Sequence, residues 1–229
     1  MTLPRQLALD LPPLTSFSRE DFLVSPSNEA AYAFIERWPD WPARRALLVG
    51  PIGSGKSHLA AIWSEAANAV TMPSRHLDDE AVPELAARGA IVLEDAKAGI
   101  DETALFHLLN LVGEAEASLL ITAHETPDRW GLSLPDLISR LRAMTVLTID
   151  TPDDDLFRML LVKLFLDRQL VVDISVVDFL ARRIERSFDA ARQVVAVLDR
   201  EGLSRGRRIT RALAGELLKE VLAQPDQSE

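Results

Sequence analysis

Apolar residues in the first two thirds of the chain gather into short, largely unbroken runs at 46–49, 90–93, 118–122 and 146–149, with a weaker run at 69–72. Runs of that length suit strands buried on both faces better than helices. Helical periodicity fills the intervals between them. Strands alternating with helices at this spacing predict an α/β fold, a parallel five-stranded sheet covered on both sides. After Thr151 and Pro152 the strand runs stop and four helical segments follow. These are 153–168, 174–184 behind the possible cap Asp173, a helix that Ser187 precedes and that runs to about Arg200, and one that Thr210 precedes and that runs to about Leu222. The shift from alternating elements to helices alone predicts a domain boundary near 151, and Pro152 suits the first turn of the helix after it. The expected organisation is an N-terminal segment 1–20, an α/β domain 21–151 and a smaller all-α domain 152–229.

The first strand run leads into Gly50-Pro51-Ile52-Gly53-Ser54-Gly55-Lys56-Ser57, which fits G-x-x-x-x-G-K-[ST] at every fixed position. His58 then opens a helical stretch, 58–67. Strand, loop and helix in that order are what phosphate binding requires. Glycines let backbone N–H groups turn inward around phosphates, and the helix N-terminus adds partial positive charge. Lys56 is expected to reach the β and γ phosphates of ATP or ADP, and the Ser57 hydroxyl to hold Mg²⁺. Such a site also needs a carboxylate at the end of a neighbouring strand. The run 91–93 supplies Glu94 for the metal side and Asp95 to orient an attacking water, though Asp95 also suits a helix cap.

Composition narrows the remaining possibilities. A chain of 229 residues with a net charge of −10 does not suit a protein that grips nucleic acid over a broad surface. The stretch with Arg200, Arg205, Arg207, Arg208 and Arg211 is a local basic patch without interleaved aromatics, either a solvated face or a binding stripe. The absence of cysteine excludes disulfides and thiolate-ligated metals and fits a reducing cytoplasm. No secretory signal is expected at the N-terminus, and no apolar run approaches a membrane span. The loop Arg37-Trp38-Pro39-Asp40-Trp41-Pro42 reads either as a polyproline-type ligand or as a packed turn.

The phosphate loop, the strand-end acids, the run Leu119-Leu120-Ile121-Thr122, the sequence Ser139-Arg140-Leu141 and the helical C-terminal part together resemble AAA+ ATPases. More narrowly they resemble the ATPase domain of the bacterial replication initiator DnaA. The segment 21–28 is similar to the DnaA entry sequence beside the adenine, which makes Phe22, Val24 and Asn28 candidates for contact with the base. The initiator carries a helix-turn-helix domain beyond this part, whereas few residues follow the fourth helix here. That length and the acidic balance resemble the Hda family, DnaA-related negative regulators that inactivate the initiator once replication has begun.

The Hda resemblance implies partners and roles. Family members dock on the DNA polymerase sliding clamp through an N-terminal peptide, and Gln6-Leu7-Ala8-Leu9-Asp10-Leu11 resembles it, with Gln6, Leu7, Leu9 and Leu11 as the contact residues. Arg140 matches the arginine finger that acts in trans on a neighbour's nucleotide, with Arg142 as a nearby alternative. Arg192 in Ala190-Ala191-Arg192-Gln193 matches the sensor 2 arginine of the lid. Two departures stand out. The strand-end pair is Glu94-Asp95 rather than Asp-Glu or Asp-Asp, and His124 stands where the family often has an acid. They imply a nucleotide-bound regulator, with ADP the expected resident ligand, that turns over little ATP itself. The implied setting is the bacterial cytoplasm at the replisome, with no membrane, no direct sequence-specific DNA binding and a possible homodimer.

Overall fold

The computed structural model describes residues 17–222, with side chains to 218. The chain divides into two compact units, one of them Ser16–Thr151 and the other taking in Pro152–Glu229.

In the first unit, helix α1 (Glu29–Glu36) precedes strand β1 (Arg45–Val49) and helix α2 (Lys56–Ala67). Strand β2 (Val70–Pro73), helix α3 (Val82–Ala86), strand β3 (Ala90–Ala96), helix α4 (Glu102–Glu114), strand β4 (Ser118–Ala123), helix α5 (Pro135–Arg142) and strand β5 (Thr145–Thr148) follow. All strand pairs are parallel, in the order β2-β3-β4-β1-β5. This is the sheet expected from the apolar runs, with β3 reaching three residues beyond its run.

Alternation within the strands explains the unbroken runs. Leu47, Ile91, Leu93, Leu119 and Ile121 pack with Leu105, Leu108 and Leu109 of α4 and Leu137 and Leu141 of α5. Their neighbours Ala46, Leu48, Val92 and Leu120 pack with Ala31 and Ile35 of α1 and Leu59, Ile62 and Trp63 of α2. The central strands β1, β3 and β4 therefore bury both faces over most of their length, whereas the edge strands β2 and β5 leave Thr71, Val146 and Thr148 exposed. The tryptophan-proline segment is a packed turn. Trp41 is buried, stacks on Trp63 with ring centroids 4.9 Å apart, and donates its indole N–H to Phe34 O at 3.0 Å.

The second unit is helical over its described residues: α6 (Asp154–Asp167), α7 (Ile174–Ala181), α8 (Phe188–Arg205) and α9 (Arg211–Leu222). Asp153, Asp173 and Ser187 each cap a helix, accepting from Leu156 N, Ser175 N and Ala190 N. Phe157, Leu161, Phe165, Val177, Leu180, Val195 and Leu198 are among its most buried side chains. Two bounds differ from the pattern-based expectation. α7 stops at Ala181 rather than near 184, and α8 runs on to Arg205, where left-handed Gly206 ends it.

Candidate functional site

The C-terminal edge of β1, β3 and β4 gathers the site. β1 ends at Val49, and Gly50 N donates to Ala123 O at 3.1 Å, which ties the phosphate loop to the end of β4. Gly50 allows no substitute: an added Cβ would lie 2.4 Å from Ile149 O and 2.9 Å from Ser54 Oγ. Gly53 and Gly55 hold the left-handed values of φ, 68° and 101°, that turn the loop into α2. The loop is thus built as its sequence pattern requires, with Pro51 and Ile52 exposed and Ser54 buried.

Lys56 begins α2 and is 5% exposed, with its ammonium held inside the loop. Nζ donates to Gly50 O and Pro51 O, each at 2.7 Å, and lies 3.4 Å from His124 Nδ1. The neighbouring Ser57 is exposed, and its side chain is hydrogen-bonded to Glu94. Burial, and secondly the adjacent charge of Asp95, push the Glu94 carboxyl above its ordinary value against the opposing Ser57 bond. A cation beside Glu94 would relieve that cost. The hydroxyl and carboxylate together are two hard oxygen donors, which fits Mg²⁺, a metal that habitually takes its other ligands from phosphates and water. Among the described residues no group of three or more His, Asp or Glu could hold a metal without such help.

Asp95 and His124 complete the floor. Asp95 has φ of 56°, and the β3–β4 register shifts between Leu93 and Ala96. An unbroken strand would send Glu94 and Asp95 to opposite faces. The bulge interrupts that alternation, so Glu94 reaches Ser57 while Asp95 Oδ1 lies 3.7 Å from His124 Nε2. Asp95 N accepts no strain alone: it donates to Thr122 Oγ1 at 3.0 Å, and Asp95 O accepts from Ser74 Oγ at 2.7 Å. Asp95 caps no helix, since α4 is capped by Asp101. His124 is therefore part of the site, standing between Lys56 and Asp95, and its two ring nitrogens serve different neighbours. The resemblance had marked His124 as a departure at the end of β4, but only the bulge and the strand ends show that it stands between Lys56 and Asp95, and that Thr122 and Ser74 hold the Asp95 backbone.

The remaining assigned residues are placed as follows. Of the base-side candidates, Phe22 is buried and its ring is parallel to that of Tyr32, 5.4 Å away. Asn28 is 1% exposed, its Oδ1 accepting from Ser25 N and its Nδ2 donating to Leu23 O, while Val24 is exposed. His58 is buried, with Nε2 2.8 Å from Ser18 O and its ring edge-on to Phe22. Its side chain secures the entry segment to α2. Arg192 is half-buried on α8 in the helical unit. Gln6, Leu7, Leu9 and Leu11 lie outside the described residues.

Arg140 is exposed near the end of α5, with its guanidinium carbon 5.0 Å from the centre of the Phe106 ring on α4. No carboxylate pairs with it among the described residues. Arg142 is committed elsewhere, donating through Nε and Nη2 to Asp128 Oδ1 at 3.1 and 2.7 Å. The start of α5 is held from α4 as well. The Glu102 carboxylate accepts from Ser133 N, Ser133 Oγ and Leu134 N at 2.7 to 3.0 Å. Those backbone donors hold the Glu102 carboxyl below its ordinary value. α4 thus grips α5 at both ends, a feature that sequence spacing does not reveal.

No protein-family model matches the sequence, and no curated protein matches it. Solved structures do. Domain III of the replication initiation protein DnaA from Thermotoga maritima aligns with a TM-score of 0.78 at 19% identity, over 91% of this chain and 98% of that one. AMPPCP-bound DnaA from Aquifex aeolicus aligns with a TM-score of 0.73 at 14% identity, over 89% of this chain and 68% of that one. The Holliday junction branch migration motor RuvB from Thermotoga maritima aligns with a TM-score of 0.65 at 15% identity, over 77% of this chain and 61% of that one. The fold is that of a P-loop AAA+ core, an α/β unit followed by a smaller helical one.

Proposed function

We propose that this protein is a nucleotide-bound AAA+ regulator of replication initiation that promotes ATP hydrolysis on the initiator DnaA by presenting Arg140 in trans. The observation that carries the reading is the contrast between the two arginines of α5. Arg140 is exposed, seated on Phe106 and has no carboxylate partner among the described residues, whereas Arg142 is tied to Asp128. An unpaired guanidinium on a firmly held helix suits stabilisation of charge that develops on another molecule's γ-phosphate. Nucleotide binding in this reading falls to the α/β domain 21–151, with 152–229 as the lid that carries Arg192.

Lys56 would exchange its bonds to Gly50 O and Pro51 O for phosphate oxygens, while Ser57 and Glu94 hold Mg²⁺. The metal would neutralise phosphate charge. ADP is the ligand this reading favours, because a resident diphosphate needs no turnover to stabilise the fold. Docking on the sliding clamp through Gln6, Leu7, Leu9 and Leu11 would bring Arg140 to initiators near newly loaded clamps. The AMPPCP bound to DnaA in one similar structure is consistent with a nucleotide at this loop.

A second reading, a free-standing or DNA-stimulated ATPase, is favoured by Glu94 beside Ser57 and by Asp95 beside His124. The two readings separate in one assay: ATP hydrolysis by DnaA with DNA-loaded clamp, with and without this protein, next to this protein alone. Stimulation confined to the full mixture supports the regulator. Turnover by this protein alone, unaffected by DnaA, refutes it in favour of the motor, and clamp binding without a gain in hydrolysis leaves a scaffold.

A further inference from the structure

The basic stretch near the C-terminus is dispersed by the fold. Arg205 is spent on Glu201 and Glu216, at 3.0 and 2.9 Å. Arg211, the first residue of α9, instead meets two arginines that follow α7, Arg182 and Arg183. Together with Ser175, Asp178 and Phe179 they line an open cavity of about 220 Å³. The aromatic that the linear stretch lacks is supplied from α7. The guanidinium carbon of Arg183 is 4.1 Å, and that of Arg211 5.3 Å, from the centre of the Phe179 ring.

We infer that this cavity binds the phosphate backbone of a single-stranded nucleic acid without reading its sequence. Arg182, Arg183 and Arg211 have no carboxylate partner among the described residues. The one acid in the wall, Asp178, is already paired with Arg158 at 3.1 Å. Three cations with one neutralised acid leave a local excess of positive charge in a chain whose net charge is −10. Guanidinium groups resting on an aromatic face keep their N–H edges for a phosphate, and Arg presents those donors in a fixed fork that Lys lacks. The cavity is concave and confined to the junction of α7 and α9, so it admits one strand. A duplex would carry its charge across the acidic remainder of the surface. A carboxylate-bearing peptide would satisfy the charge, but it has no use for the ring beside the arginines, on which a base or sugar can rest.

The test is fluorescence anisotropy of a labelled oligothymidylate with the full-length protein across a salt series. Three phosphate contacts predict a slope of log K on log salt of about −2 for a single strand. The variant Arg182→Ala/Arg183→Ala/Arg211→Ala is expected to bind about tenfold or more weakly with a slope near zero. Arg75→Ala/Arg88→Ala, which removes two charges from the other unit, should bind as the parent does. Saturating ADP should leave the binding unchanged, which separates this cavity from the phosphate loop. No binding at low salt overturns the inference, as does tighter binding of a duplex or of polyglutamate at equal charge, or equal loss in the Arg75/Arg88 control. The triple alanine variant must still melt cooperatively for its loss to count. Where it does not, the triple Arg→Gln variant, which removes the charge and keeps polar side chains, replaces it: weakened binding with a flattened salt slope supports the cavity, and unchanged binding overturns it.

Discussion

Single residues in this site are constrained by different neighbours, and their substitutions should fail in different ways. Gly50→Ala forces a Cβ to 2.4 Å from Ile149 O, so the loop must shift on the end of β1. Overpacking of this kind costs about 1 to 3 kcal/mol. The expected outcome is a lower melting temperature together with loss of the rise that ADP produces; a variant that melts and responds to ADP like the parent would show that the loop tolerates the side chain. Asn28 should behave otherwise. Its amide is fully engaged by Ser25 N and Leu23 O at 2.9 Å each, with 1% exposure. Asn28→Ala leaves those backbone groups unpaired, at a cost of about 1 to 3 kcal/mol. It is expected to lower the melting temperature without changing the preference for adenine over guanine nucleotides. A changed preference with unchanged stability would assign Asn28 to the base instead, as its position in the sequence suggested.

Helix α5 (Pro135–Arg142) has eight residues, fewer than an isolated helix needs to persist in water. Its order therefore comes from tertiary contacts: Leu137 and Leu141 buried in the core, with Glu102 of α4 at its start and Phe106 beneath Arg140. The sequence showed Arg140 but not this support, because Glu102 lies 31 and 32 positions from the groups it accepts from. The bulge at Asp95 was hidden for a related reason. A run of four apolar residues followed by two acids reads as a strand end, and only pairing with β4 turns Asp95 left-handed. The central strands were legible because burial of both faces leaves little room for polar residues, a constraint written into the local sequence, and the half-exposed edge strand β2 gave the weaker run. Glu102 has its carboxyl pKa depressed in the fold, so it adds stability above its unfolded pKa and loses it as pH falls through the folded value. Glu102→Ala is thus expected to melt below the parent at neutral pH, with the gap closing once the pH drops beneath the usual glutamate range. A gap independent of pH would mean that the carboxylate is not what holds α5. Amide exchange in α5 should quicken in the variant while β1 and β4 stay protected, and loss of protection throughout would indicate global rather than local loosening.

At the scale of the molecule, the proposed nucleotide site on the α/β unit and the exposed arginine on the same unit can be separated by how each fails. A ligand that binds only the folded chain stabilises it by about 2.7 kcal/mol at a hundredfold excess over Kd. That stabilisation should reside in the loop. Lys56→Ala removes the cation that the loop holds at 2.7 Å from two of its carbonyls, so ADP should no longer raise the melting temperature. Arg140 makes no bond within the loop, and its contact is the Phe106 ring. Arg140→Ala should accordingly keep the full ADP response and clamp binding, yet lose stimulation of DnaA hydrolysis by about 10³ or more, the scale of an arginine acting on a γ-phosphate. Arg142→Ala, which frees Asp128 and loosens the end of α5, should reduce stimulation far less. The pairing of results decides between readings. If Arg140→Ala loses the ADP response as well, the arginine serves this chain's own nucleotide and the regulator acting in trans is refuted. If Arg140→Ala retains both the ADP response and full stimulation, the guanidinium is a surface charge, and the activity must come from another face of the molecule.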